Sequence, residues 1–166
     1  LRPQAFSVSA YAPPVVINRG GRDLLIVWHP EALCGLEAAT GKVLWSVPFS
    51  PGYGMSIMAP RIGGDFIFVG AIVKKSMLVK MSPDGASAAV EWTGEPKQAL
   101  SPKNVTPLVW DGHLYGCDAD GQLRFASLES GERLWTSEEP LHGKSPNSGT
   151  FFLVRLTDAK PGKPNH

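Results

Sequence analysis

The sequence predicts an all-β fold made of four-stranded antiparallel units repeated along the chain. Three observations lead there: short apolar runs, a recurring phrase closed by tryptophan, and prolines recurring at a similar period. The runs DLLIVW (Asp23 to Trp28), DFIFVGA (Asp65 to Ala71) and HLYGCD (His113 to Asp118) are rich in β-formers and bounded by Gly, Asp and Pro. GKVLWSVPF (Gly41 to Phe49) and ERLWTSE (Glu132 to Glu138) read the same way. Helical periodicity nowhere persists beyond two turns. Trp45, Trp92 and Trp135 lie 47 and 43 residues apart, and Pro14, Pro60 and Pro107 lie 46 and 47 apart.

The two clearest copies of the phrase are LCGLEAATGKVLW (Leu33 to Trp45) and LRFASLESGERLW (Leu123 to Trp135). Laid together, Leu33 meets Leu123, Thr40 meets Ser130, Gly41 meets Gly131 and Leu44 meets Leu134. The middle copy, MLVKMSPDGASAAVEW, is looser but keeps apolar residues, a glycine turn and Trp92. Each repeat then holds four strands. One follows the proline, one follows the first glycine turn, one precedes the Thr/Ser-Gly turn, and one carries the tryptophan. Four strands in a repeat of ~40–50 residues make a propeller blade. The expected division is a leading segment 1–11, blades at 12–57, 58–104 and 105–140, and a linker with the first strand of a fourth blade at 141–156. The last part is a polar tail at 157–166.

The bulk composition sets further bounds. With 166 residues, 43% hydrophobic, the chain can bury a core, and 18 glycines with 15 prolines demand many turns. A formal charge of +1 without a basic patch argues against nucleic acid as a partner. No apolar run approaches the ~18 residues of a membrane span, so no membrane insertion is expected. Cys34 and Cys117 form no metal-ligand spacing and read as two buried thiols. The opening LRPQAFSVSA lacks the regions of a signal peptide, and the chain is expected to be cut from something longer.

The phrases LCGLEAATGKVLW and LRFASLESGERLW resemble the PQQ-like β-propeller repeat, whose pattern is roughly L-Y-A-L-D-A-x-T-G-K-x-L-W. The resemblance covers about residues 12–156. Cys34 and Gly35 replace its Tyr-Ala, and Glu37 replaces its Asp. Two classes of relative follow from it. Quinoprotein dehydrogenases of the family bind pyrroloquinoline quinone and Ca²⁺, commonly with an adjacent Cys-Cys pair and a catalytic Asp. Its outer-membrane assembly lipoprotein is non-catalytic and presents rigid faces to partners.

Several stretches approach known chemical motifs. From Gly35, the stretch G-LEAAT-GK-V approaches the phosphate-binding loop G-x-x-x-x-G-K-[ST]. Five residues separate the glycines where four are required, and Val43 stands where a hydroxyl must reach Mg²⁺. Glu132 replaces the lysine in the other copy, so the phrase reads as a hairpin turn. In CDADGQLRFASLE, Asp118, Asp120 and Glu129 match positions one, three and twelve of a calcium loop. Gly121 falls at position four rather than six, so Asp120-Gly121 reads as a two-residue hairpin turn. His29, His113 and His142 are scattered without ligand spacing. Asn104-Val105-Thr106 is a glycosylation sequon, without meaning in a bacterial source. HGKSPNSG (His142 to Gly149) reads as a linker.

No catalytic, cofactor-binding or metal-binding residue is therefore assigned. The residues singled out are the repeat's own Gly41, Trp45, Trp92, Gly131, Trp135, Pro14, Pro60 and Pro107. A ring repeated in every blade suits packing between blades. Trp28 and Trp110 lie outside that register and are the candidates for an exposed contact. The expected function is a non-catalytic binding or scaffold module for protein, peptide or glycan within a longer bacterial protein. The alternative is a fragment of a quinoprotein dehydrogenase, with PQQ and calcium held elsewhere in the parent chain. No cofactor is expected under the first reading, and an exported or periplasmic location follows from the resemblance alone. Three blades and a strand fall short of the four to eight that close a ring. The missing blades, or self-association, are expected to complete one of about six to eight.

Overall fold

The computed structural model describes residues 10–72, 75–94, 98–139 and 151–155. The fold is all-β: three separate four-stranded antiparallel sheets follow one another along the chain. The first contains β1 (Val15–Arg19), β2 (Arg22–Trp28), β3 (Ala32–Glu37) and β4 (Val43–Pro48). The second contains β5 (Arg61–Gly63), β6 (Phe66–Ala71), β7 (Lys75–Met81) and β8 (Ala88–Gly94). The third contains β9 (Leu108–Trp110), β10 (His113–Cys117), β11 (Leu123–Ser127) and β12 (Arg133–Ser137). In every sheet spatial order follows chain order, as in propeller blades. Pro14, Pro60 and Pro107 each stand immediately before the first strand of a blade, where a missing N–H breaks no ladder bond.

Each blade repeats the same irregularity. The ladder between its third and fourth strands shifts at Gly35/Leu36, Leu78/Val79 and Phe125/Ala126. The partner across the first residue of each shift is the closing tryptophan, Trp45, Trp92 or Trp135. A bulge adds local twist and re-aims a side chain. Here it turns the ring toward the following blade. Trp45 Nε1 donates to the Gly85 carbonyl of the second blade at 3.1 Å, and Trp92 Nε1 donates to the Leu128 carbonyl of the third at 3.1 Å. Trp45 is 7% exposed, whereas Trp135, at the end of the array, is 43% exposed.

Gly35 lets Trp45 lie flat: a Cβ there would sit 2.2 Å from Trp45 Cε2. Phe125 occupies the same register in the third blade, and Trp135 packs against its ring at a tilt of 33°, with centroids 5.5 Å apart. Gly41 and Gly131 take positive φ of 70° and 69°, the left-handed geometry that closes the hairpin after β3 and β11.

The core runs through all three blades, with Leu24, Ile26, Phe68, Leu78, Leu100 and Leu114 fully buried. Trp28 belongs to it. Alternation along β2 places Leu24, Ile26 and Trp28 on the inner face, and Trp28 is 1% exposed against Phe49. It is therefore not an exposed contact; its position in the strand, rather than its absence from the repeat register, decides its burial.

The loop after β10 also departs from expectation. Asp118 N–H donates to Gln122 O and Gly121 N–H to Asp118 O, leaving three residues, Ala119 to Gly121, in the turn rather than two. Its acids are structural. Asp118 is buried, and its Oδ1 accepts the Ser101 and Ala119 amides at 2.9 and 3.0 Å. Its Oδ2 accepts Arg124 Nε at 3.3 Å and Arg133 Nη2 at 2.7 Å. Arg133 Nε reaches the Ala99 carbonyl, so the network ties the segment entering the third blade to that blade's outer strands.

Beside it, burial pushes the Cys117 thiol up to about 11, and the charges of Asp118 and Asp120 act in the same direction. A raised thiol pKa favours the folded state while the thiol stays neutral. That contribution is complete below the ordinary value of 9.0 and is lost as pH rises toward 11. The urea midpoint should fall across that window, and Cys117→Ala should flatten the fall.

Candidate functional site

The first and second strands of each blade end in a tight turn, and the three turns lie at the same end of the blades as the hairpins after β3, β7 and β11. Between the second and third blades this end opens into a groove of about 680 Å³. Gly63, Asp65 and Phe66 form one wall, and Trp110, Asp111 and Glu129 another. Trp110 is 46% exposed and stands at the head of a continuous aromatic group. Its ring lies 6.3 Å from Tyr115, Tyr115 lies 4.7 Å from Phe125, and His113 stacks on Phe125 at 4.7 Å. Arg155 reaches in from the described segment 151–155, its guanidinium 5.1 Å from the centre of the Trp110 ring.

The charges are unevenly paired. Asp65 is bound by Arg19, whose hydrogen bond and positive charge hold the carboxyl below its ordinary range. Lys80 lies on the same side, over the Phe66 ring at 5.5 Å. Asp111 and Glu129, both exposed, form no ion pair among the described residues. An aromatic platform between carboxylates favours a ligand that combines a flat or apolar body with hydrogen-bond donors or positive charge.

Other sequence candidates fall outside this groove. Gly41, Trp45, Trp92 and Gly131 serve turns and blade junctions, while Trp135 lies against Phe125 of its own blade. Lys42 lies on a hairpin between two strands, where no helix follows to bind phosphate. Asp118 and Asp120 are engaged by arginines, and Glu129 points into the groove rather than toward them. Among the described residues no three His, Cys, Asp or Glu side chains are grouped to hold a metal ion.

His29 neighbours Cys34, with Nε2 at 3.4 Å from Sγ. Its Nδ1 accepts the Glu31 amide at 3.3 Å, so the ring proton lies on Nε2 and points at the sulfur; the imidazole is not set to take the thiol proton. Thr106 of the sequon accepts the Ala59 amide at 3.1 Å. His142 and the HGKSPNSG stretch lie outside the described residues, as do 141–150 and 156 of the expected linker and fourth-blade strand. The part that is described, 151–155, forms no strand and lies beside Leu108, Trp110 and Tyr115.

A family model described as outer membrane protein assembly factor BamB, of the PQQ-repeat type, matches residues 31–154, three quarters of the chain. The chain belongs to this PQQ-repeat family. The closing tryptophans and the bulges opposite them thus lie within the family's own repeat. The fold is similar to that of BamB from Moraxella catarrhalis (20% identity, TM-score 0.50, 73% of this chain and 35% of that one). It is also similar to the quinohemoprotein alcohol dehydrogenase ADHIIG from Pseudomonas putida HK5 (14% identity, TM-score 0.53, 78% of this chain and 20% of that one). A europium-containing methanol dehydrogenase is a third (10% identity, TM-score 0.54, 77% of this chain and 24% of that one). The chain spans about a third or less of the length of each, and at these identities the likeness is one of fold. No curated protein matches it by sequence.

Sequence reasoning singled out Trp110 but missed the groove around it, because Gly63, Asp111 and Glu129 come from two blades. The signal that could have found it is the last residue of each first strand: Arg19, Gly63 and Trp110. Aligned on the turns, these three occupy one register and carry three different chemistries.

Proposed function

We propose that the chain is a non-catalytic binding segment of a longer, exported bacterial propeller, offering the turn end of its blades to a protein, peptide or glycan. The blades run over 12–57, 58–104 and 105–140, and residues 141–156 lead into the next one. The observation that carries this reading is the groove between the second and third blades, with its exposed Trp110 and two carboxylates that form no ion pair among the described residues. Membership in a family described by an outer membrane assembly factor agrees with a protein partner and a periplasmic location.

A second reading is favoured by the two dehydrogenases of similar fold: a segment of a quinoprotein dehydrogenase whose active site is built by other blades. Titrating the full-length protein that carries these blades with pyrroloquinoline quinone and Ca²⁺ separates the two. The binding reading expects no stoichiometric change in quinone absorbance. A saturable change at one quinone per chain would overturn it.

A further inference from the structure

The groove between the second and third blades has an apolar floor and a rim of balanced charge. Val109 and Leu128 close the floor against Gly63, where a Cβ would stand 2.6 Å from Val109 Cγ1 and 2.8 Å from Leu128 Cδ2. That corner is filled, so the groove offers a broad face rather than a deep slot for one side chain. On one wall Asp65 is paired with Arg19, and the charge of Lys80 acts on it from above the Phe66 ring. On the other wall Asp111 and Glu129 share the rim with Arg155. Three carboxylates thus meet three cations, which leaves no net charge to favour a cationic or an anionic ligand.

Balance does not use up the polar groups. Asp111, Glu129 and Arg155 form no ion pair among the described residues, so their hydrogen-bonding positions face the groove. Hydroxyl groups suit such a mixed rim, because each can donate to a carboxylate and accept from a guanidinium. Trp110 supplies the apolar counterpart, still 46% exposed with Arg155 and Tyr115 beside it. A sugar ring joins an apolar C–H face to a belt of hydroxyls, and an indole offers a flat apolar surface to that face. A peptide has less to hold. Strand addition needs a free edge, and β5 and β9, the first strands of the two blades, have three residues each. Residues 151–155 already lie beside Leu108 and Trp110 of β9.

We propose that this groove binds a neutral oligosaccharide. One sugar stacks on the exposed part of Trp110, and its hydroxyls are shared among Asp111, Glu129 and Arg155. The volume of about 680 Å³ is that of a small-ligand site and suits a short stretch of such a chain. The proposal rests on the binding reading above and names its ligand class.

The test is calorimetric titration of the chain with cellotriose, chitotriose and mannotriose, three neutral β-linked trimers. Saturable heat at millimolar concentration is expected with at least one. Its affinity should change by less than about twofold between low salt and about 0.5 M NaCl, because no net charge is neutralised. Trp110→Ala should weaken binding by at least about tenfold, while Trp110→Tyr, which keeps a ring, should stay within about threefold of wild type. Asp111→Asn/Glu129→Gln should weaken it by about fivefold, since bonds to a carboxylate are stronger than bonds to an amide. Both of those positions are exposed, and asparagine tolerates the positive φ of 49° at Asp111.

No saturable heat with any of the three trimers would overturn the proposal, as would an unchanged affinity in Trp110→Ala or in the double variant. Tighter binding of a charged trimer, of glucosamine or of galacturonate, or a steep loss of affinity with salt would do the same. A neutral octapeptide of Ala, Ser, Gly and Leu that binds more tightly than the sugars, and loses affinity in Trp110→Ala, would overturn the glycan assignment while leaving the binding reading intact. The quinone titration fails independently of all these.

Discussion

Replacing Gly35 with leucine should unseat Trp45 and lower stability by about 3–5 kcal/mol, the range for losing a large buried ring from a core. The clash is direct, since a Cβ at position 35 would lie within 2.2 to 2.5 Å of Cε2, Cζ2 and Nε1 of the ring. The ring cannot slide aside cheaply. It is buried between blades, and its Nε1 is committed to the Gly85 carbonyl at 3.1 Å. Moving it exposes ~150–250 Å² of aromatic surface and strands the carbonyl. Urea unfolding should show a lower midpoint, and the native fluorescence should shift to the red as Trp45 meets water. Gly35→Ala should move both in the same direction by less. Phe125→Leu, at the same register in the third blade, should cost under about 1.5 kcal/mol, because no flat indole depends on a missing side chain there. A midpoint in Gly35→Leu equal to wild type would show that Trp45 is not what joins the first two blades.

Asp118→Ala is expected to be of similar size, about 3–5 kcal/mol, for an electrostatic reason. One carboxylate satisfies two guanidiniums and two backbone amides, with Asp118 8% and Arg124 9% exposed at their side chains. Removing it leaves Arg124 and Arg133 close together without their shared counter-charge and frees the Ser101 and Ala119 amides. Asp118→Asn keeps the shape and should fall between alanine and wild type. Because the segment from Ala99 to Ser101 is held by this network, proteolysis there should accelerate in the alanine variant. Added Ca²⁺ should leave the wild-type midpoint unchanged, since the carboxylate a calcium loop would need already serves the two arginines.

The strands were legible because each short apolar run is bounded by turn residues that stop it. Each strand expected from DLLIVW, DFIFVGA, HLYGCD, GKVLWSVPF and ERLWTSE appears within two residues of its reading. The looseness of the middle copy has a geometric cause. Trp92 lies fourteen residues after its bulge partner Leu78, against ten from Gly35 to Trp45 and from Phe125 to Trp135. The hairpin of β7 and β8 is longer by two residues on each strand, while the turn that closes it keeps the same span, Ser82 to Ser87 beside Glu37 to Lys42. An alignment without gaps cannot see this.

Burial was read less well. Trp28 was set apart by its position in the repeat, but the two-residue alternation of β2 governs where it points. The groove was hidden for a related reason. Gly63 and Trp110 lie three residues after their prolines, whereas Arg19 lies five after Pro14, so counting from proline misaligns the residues that share a corner. The Asp118 network could not be read from residue types alone. The same Asp-x-Asp-Gly spacing serves a calcium loop or an arginine clamp, and only the fold brings Arg133 to it.

The linkage between blades has a direction. Trp45 and Trp92 each reach toward the blade that follows, so the array has a giving end at Trp135 and a receiving end at the hairpin from Glu37 to Lys42. A surface of this kind is not its own complement. Two copies meeting through a twofold axis would set indole against indole and leave both receiving turns idle. Head-to-tail addition would instead repeat the two junctions already present. Growth by that rule ends only when the angles sum to a full turn, so whatever follows Trp135 determines whether the structure is a ring or an open filament.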